Sequence, residues 1–209
     1  MKIFKYIIIM IAFFSLYACE KETEGISRVT EYATFDMKGG DFMFVLANST
    51  FTDPGVVALE GDDELPVDIK GAVNTSVPGV YNIQYTATNS DGYPASVQRS
   101  VAVVTAMPTA DLSGTYQVVH ATRTTKTSIT KIDGVLGYYH STDSWWQASP
   151  IPLDFVDMGN GTFVVLRGSS PFGGHYGTGK VLSSTQIQFS ITMPDQGNLV
   201  YNTTWNLIQ

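Results

Sequence analysis

The chain holds one cysteine in 209 residues, so no disulfide can form within it. A chain without disulfides must hold itself by core packing, which about ninety residues per domain can do. Charge is also scarce, at 15% of residues, and bases (12) are fewer than acids (19), for a net charge of −7. That balance excludes a nucleic-acid partner, which needs a basic face against its phosphates. Apolar runs are short: the eleven residues Tyr6 to Leu16 fall below the roughly twenty that span a bilayer. No Gly-x-Ser-x-Gly elbow occurs, and Asp154 and Asp157, three apart on a strand, tend toward opposite faces, so nothing names a hydrolase. His120, His140 and His175 lack ligand spacing for zinc. The acidic cluster Asp62-Asp63-Glu64 lacks the alternation a calcium loop needs and reads as a solvated loop. No metal or cofactor is expected, and no catalytic residue stands out.

What is present begins with Lys2 and Lys5, the short apolar run, and Leu16-Tyr17-Ala18-Cys19. A basic start, a short apolar segment and a small residue before the cut make a secretory signal peptide over residues 1–18. Leu-Tyr-Ala-Cys resembles a bacterial lipobox, although Tyr17 occupies a slot that is more often small. The resemblance implies that Cys19 takes a diacylglyceryl thioether, becomes the first mature residue and anchors the protein to a membrane. Loss of Lys2 and Lys5 would bring the net charge to −9. Residues 19–25 continue with Glu20-Lys21-Glu22-Thr23-Glu24-Gly25, a polar tether unable to pack. Its acidity resembles the export signal of Bacteroidota-type lipoproteins, which implies an outer-membrane protein facing outward. Thr23 interrupts the acidic run, and a periplasm-facing anchor is the alternative.

Residues 26–104 read as short strands separated by turns, with no ten-residue stretch of helical period. Tyr81, Ile83, Tyr85 and Ala87 alternate with polar residues, so one face of that strand is buried. Asn89-Ser90-Asp91-Gly92 then turns the chain back into a strand carrying Val97, Val101 and Val103. Phe51-Thr52-Asp53-Pro54-Gly55-Val56, Pro78-Gly79-Val80-Tyr81 and Arg99-Ser100-Val101, in this order, resemble the bacterial Ig-like modules of surface proteins and crystal toxins. The resemblance implies a β-sandwich acting as a spacer, with Tyr81 as its packing tyrosine corner. Asn89 stands where that family commonly has aspartate.

Residues 105–111 have no pattern and include Pro108, which makes them a short linker. From 112 to 209 the strand signals resume. Ile151, Leu153 and Phe155 lead through Gly159-Asn160-Gly161 into Phe163 to Leu166, a second hairpin. Ile187 to Met193 and Leu199 to Leu207 supply two more alternating faces. The fold class is therefore all-β: an Ig-like β-sandwich followed by a second antiparallel sandwich or small barrel, between which the pattern does not choose. Leu112-Ser113-Gly114-Thr115-Tyr116, Gly173-Gly174-His175-Tyr176-Gly177 and the closing aromatic strand resemble the C-terminal domain of uncharacterised Bacteroidota lipoproteins. Such proteins are often encoded beside glycan importers of the starch-utilisation type.

Tyr138-Tyr139-His140 and Trp145-Trp146-Gln147 flank the polar Ser141 to Ser144. If the Trp pair lies on a strand, only one ring can enter the core. Sugar rings stack their C–H faces on aromatic planes and seek amide and imidazole partners for their hydroxyls. Tyr138, Tyr139, Trp145, Trp146, Gln147, His175 and Tyr176 are accordingly the candidate ligand residues, with His175 and Tyr176 on a glycine-rich loop. The expected function is a non-enzymatic surface lipoprotein presenting a polysaccharide or oligosaccharide site to an import system. The alternative is a structural or adhesive accessory that binds an importer subunit, and a glycan-active enzyme is the weakest third.

Overall fold

The computed structural model describes residues 29–121 and 123–208, so Cys19, the signal segment and the tether lie outside the described residues. The first seven strands are β1 (Thr34–Met37), β2 (Phe42–Leu46), β3 (Val56–Glu60), β4 (Asp63–Leu65), β5 (Asp68–Lys70), β6 (Gly79–Thr88) and β7 (Pro94–Val104). They form a three-stranded sheet, β1-β3-β4, and a four-stranded sheet, β2-β7-β6-β5, in which β2 runs parallel to β7. The β6–β7 hairpin pairs Gly79 with Val103 through Thr88 with Pro94. Ile83, Tyr85 and Ala87 face the core, as period-two alternation requires. The Tyr81 hydroxyl donates to the Val77 carbonyl at 2.8 Å, the local geometry of a tyrosine corner.

A fully buried arginine lies inside this sandwich. Arg99 donates from Nε to the Gly40 carbonyl at 3.0 Å, from Nη2 to the Lys38 and Gly55 carbonyls, and from Nη1 to Asp53 and to the Tyr85 hydroxyl. Tyr85 in turn donates to Asp53 Oδ2 at 2.6 Å. Burial, then the Asp53 hydrogen bond, push the Tyr85 pKa up to about 12. Charge burial is tolerated because every donor of the guanidinium fork finds an acceptor. The network ties the loops around Lys38 and Asp53 to the middle of β7.

No strand occupies Thr105 to Ser113. Eight strands follow: β8 (Gly114–His120), β9 (Arg123–Lys131), β10 (Tyr138–Ser141), β11 (Leu153–Asp157), β12 (Thr162–Ser170), β13 (Gly173–Ser183), β14 (Gln186–Met193) and β15 (Leu199–Leu207). Each pairs with the next, and β15 returns to β8, so the sheet closes as an up-and-down barrel. Closure decides the alternative that alternation left open, because inward and outward residues alternate in both architectures. The interior is packed with Leu153, Phe155, Phe163, Phe189, Ile191 and Trp205, among others. Phe189 lies 4.9 Å from Phe155 and 4.6 Å from Trp205 between ring centroids.

The meander puts alternate connections at opposite ends of the barrel. At one end the β9–β10 and β11–β12 connections meet the Ig-like sandwich. Phe42, Ala102 and Val104 of the sandwich pack with Val156 and Met158 of the barrel as one buried cluster. Tyr138 stacks on Phe42 at 4.0 Å, with 13° between planes. The linker is pinned here as well, since Thr105 Oγ1 donates to the Met158 carbonyl at 3.3 Å. Gly159 has φ +74°, and a Cβ there would lie 1.7 Å from the Ala106 carbonyl oxygen. Only glycine fits that contact.

Gly159→Ala is expected to cost more than about 2 kcal/mol, from left-handed strain and from displacement of the linker. Differential scanning calorimetry should then resolve two transitions where the parent unfolds in one. An unshifted single transition would refute tight coupling of turn and linker.

Candidate functional site

The other end of the barrel carries the β8–β9, β10–β11, β12–β13 and β14–β15 connections and faces away from the sandwich. Trp145, Trp146 and Gln147 lie here, in the irregular segment between β10 and β11, and not on a strand. The reason is Asp143, which is buried. Its Oδ1 accepts from the backbone N–H groups of Trp145 (2.8 Å), Trp146 (3.1 Å) and Ile151 (3.2 Å), while Oδ2 accepts from the Thr125 hydroxyl at 2.9 Å. One carboxylate thus supplies the acceptors that a strand would have drawn from its neighbours. Ser144 adds to it by donating to the Ile151 carbonyl at 2.9 Å and meeting the Tyr201 hydroxyl at 3.1 Å.

The loop projects two indoles with different fates. Trp145 is half-buried against the barrel core, 4.3 Å from the His120 ring and 4.9 Å from Tyr201. Trp146 keeps 42% of its surface exposed, and Gln147 is exposed beside it. The Arg123 guanidinium sits over both rings, 5.5 Å from Trp145 and 5.0 Å from Trp146. Such a contact holds an exposed indole in one orientation. An apolar hollow of about 90 Å³ opens at the same end, lined by Trp145, Phe172, Met193, Gln196, Leu199 and Tyr201. Gln196 Nε2 donates to the Phe172 carbonyl at 2.8 Å, which ties two of the end loops together.

Burial, then the Arg123 charge, push the His120 pKa below the usual imidazole value. Burial likewise pushes the Tyr201 hydroxyl up to about 12. Both groups are therefore neutral near pH 7, and the cationic charge beside the indoles is that of Arg123.

The remaining expected ligand residues lie elsewhere. Tyr138 is stacked on Phe42 in the interdomain cluster, where burial raises its pKa to about 12. Tyr139 is fully buried, its hydroxyl donating to the Ala110 carbonyl at 3.0 Å and accepting the Leu112 N–H at 3.1 Å. Tyr139 is closed off from solvent and Tyr138 is only partly exposed, because β10 directs one ring into the barrel and the other toward the sandwich. His175 and Tyr176 stand on β13, a strand and not a flexible loop, at the side of the barrel. Arg123 and Tyr201 were not legible as site residues, and His120 was weighed only as a metal ligand, because β8–β9 and β15 bring these three to the Trp pair; Asp143, a chain neighbour of the pair, showed only as part of a polar turn. Among the described residues no group of three His, Cys, Asp or Glu side chains could hold a metal ion, and no helix is long and apolar enough to cross a membrane.

Residues 35–103 match the family model described as Bacterial surface protein, Ig-like domain. No curated protein matches the chain. Among solved structures, the lipoprotein BT2262 from Bacteroides thetaiotaomicron is similar at 20% identity and a TM-score of 0.40, covering 84% of this chain and 100% of that one. An Ig-like domain, similar over residues 35–103 to those of bacterial surface proteins, thus precedes an eight-stranded barrel.

Asp143→Ala is expected to cost about 2–4 kcal/mol, because three backbone donors lose a buried acceptor. Urea denaturation followed by tryptophan fluorescence should show it, with Asp143→Asn retaining most of the stability; equal losses would contradict the acceptor role. A lowered His120 pKa means the unfolded chain binds the proton first as pH drops. Stability should thus fall below about pH 6.5 and stay flat above it. His120→Phe should reduce that acid slope, and an identical slope in the variant would remove His120 from the account.

Proposed function

We propose that the protein is a non-catalytic outer-membrane lipoprotein, anchored through Cys19 and facing outward, whose barrel binds extracellular glycan for a polysaccharide import system. In this reading residues 19–25 are the tether and the Ig-like domain is the spacer. The observation that carries it is the exposed Trp146 indole, braced by Arg123 and flanked by Gln147, at the barrel end turned away from the sandwich. A braced aromatic plane offers C–H stacking to a sugar ring, and Gln147 offers an amide to its hydroxyls. The surface-protein character of the Ig-like family supports extracellular display. The interdomain contact supports a fixed presentation of that end.

A second reading is favoured by Leu199 and Val200, which are 50% and 52% exposed at the same end. Together with Trp146 they offer apolar surface to a protein partner such as an importer subunit.

The test is native affinity electrophoresis of the soluble chain in gels containing starch, mannan or xylan. Retardation by at least one of them is expected, with Trp146→Ala abolishing it at unchanged thermal stability. Absence of retardation throughout would remove the glycan reading. Capture of an importer subunit that Trp146→Ala abolishes would then support the protein-binding one.

A further inference from the structure

A second polar recess lies on the flank of the barrel, independent of the tryptophan end. The β11–β12 ladder pairs only Phe155 to Asp157 with Val165 to Phe163. Beyond it Leu153 and Asp154 have no paired residue on β12, and β12 bulges between Val165 and Gly168. Bulges of this kind interrupt pairing and re-aim side chains, often beside binding sites. The wall therefore opens into a slot of about 130 Å³, lined by His140, Asp154, Arg167, Ser169 and His175.

His175 shapes this slot. It is only 3% exposed, and its Nδ1 has no hydrogen-bond partner. A Cβ at Gly168 would lie 2.4 Å from its Nε2, so glycine at 168 makes room for the imidazole. Burial pushes its pKa down, against the opposing pull of the Pro152 backbone and Asp154. The neutral ring thus leaves a buried polar nitrogen unsatisfied, a deficit that a ligand hydroxyl relieves. Asp154 is engaged, its Oδ1 lying 2.7 Å from His140 Nδ1.

Arg167 links this slot to a larger one. It also lines a groove of about 380 Å³ between the barrel and the sandwich, with Tyr176 on the barrel side and Asn82, Gln98 and Ser100 on the other. That volume falls within the roughly 300–1,000 Å³ of ligand sites. The guanidinium lies 4.8 Å over the Tyr176 ring and makes no ion pair among the described residues, in a chain with an excess of acids. A stacked guanidinium without a carboxylate partner presents its N–H fork to a planar anion. The amides and the hydroxyl opposite suit hydroxyl groups.

We propose that the groove and slot together form a binding site for a carboxylated sugar, with Arg167 pairing to the carboxylate, Asn82 and Gln98 serving ring hydroxyls, and His175 meeting a hydroxyl in the slot. The proposal rests on the glycan reading for its ligand class alone, and uses none of the residues at the tryptophan end. It also makes the interdomain contact functional, because neither domain completes the groove.

Isothermal titration with a short oligogalacturonate tests this, with its methyl ester as the uncharged control. The parent protein is expected to bind the acid at least tenfold more tightly than the ester. Arg167→Gln should lose at least tenfold for the acid, Gln98→Ala should weaken it severalfold, and Trp146→Ala should leave it unchanged. Equal binding of acid and ester, retention by Arg167→Gln within twofold, or no binding of the acid overturns the proposal. Loss in Trp146→Ala overturns it too, since the two sites would then be one. Neutral polysaccharide retention that survives Arg167→Gln keeps the glycan reading separate from this outcome.

Discussion

The apolar contact of Phe42, Ala102 and Val104 with Val156, Met158 and Tyr138 is the constraint on which the rest of the molecule depends. Without it, a nine-residue connection would leave the barrel free to swing, as short polar linkers do. With it, the barrel end bearing Trp146 points away from the sandwich, and the sheet face of Asn82, Gln98 and Ser100 is held opposite Arg167 and Tyr176. The glycines at 137 and 159 belong to the same device. A Cβ at Gly137 would meet Pro108 at 2.4 Å and Phe44 at 2.8 Å, so loop, linker and sandwich approach as closely as backbone allows.

Two buried polar residues do for the loops what the apolar contact does for the domains. Arg99 gathers carbonyls from the Lys38 to Gly40 turn and Gly55, together with the Asp53 carboxylate. Asp143 gathers N–H groups along the segment that holds the Trp pair. Each replaces a sheet ladder with convergent bonds to one charged group, which is how an irregular segment can be buried without orphaned backbone. The two differ in consequence. Arg99 fixes the interior of the Ig-like sandwich, whereas Asp143 fixes the posture of the segment that carries Trp145 and the exposed Trp146.

The strands were legible wherever one face is wet. The β6–β7 and β11–β12 hairpins follow from alternation and from Asn89 to Gly92 and Gly159 to Gly161 as turns. The candidate site was legible only as a composition. Trp145, Trp146 and Gln147 stay together because they are neighbours in the chain, but Tyr138 and Tyr139 were drawn into packing by their strand, and His175 and Tyr176 lie on the barrel flank. Sequence proximity indicates which groups are available, while the pleat and the bulge decide which way each one faces.

From the sequence alone come the all-β class and the Ig-like first domain, because these rest on period, turn chemistry and local motif. Only the tertiary structure decided that the second domain closes as a barrel, that Arg123 and His120 join the Trp pair, and that Arg167 faces Asn82 and Gln98 across a groove. The physical reason is common to all three. Each depends on contacts between segments dozens of residues apart, whose partners are chosen by strand register and ring closure, and neither leaves a signature in a local stretch of chain.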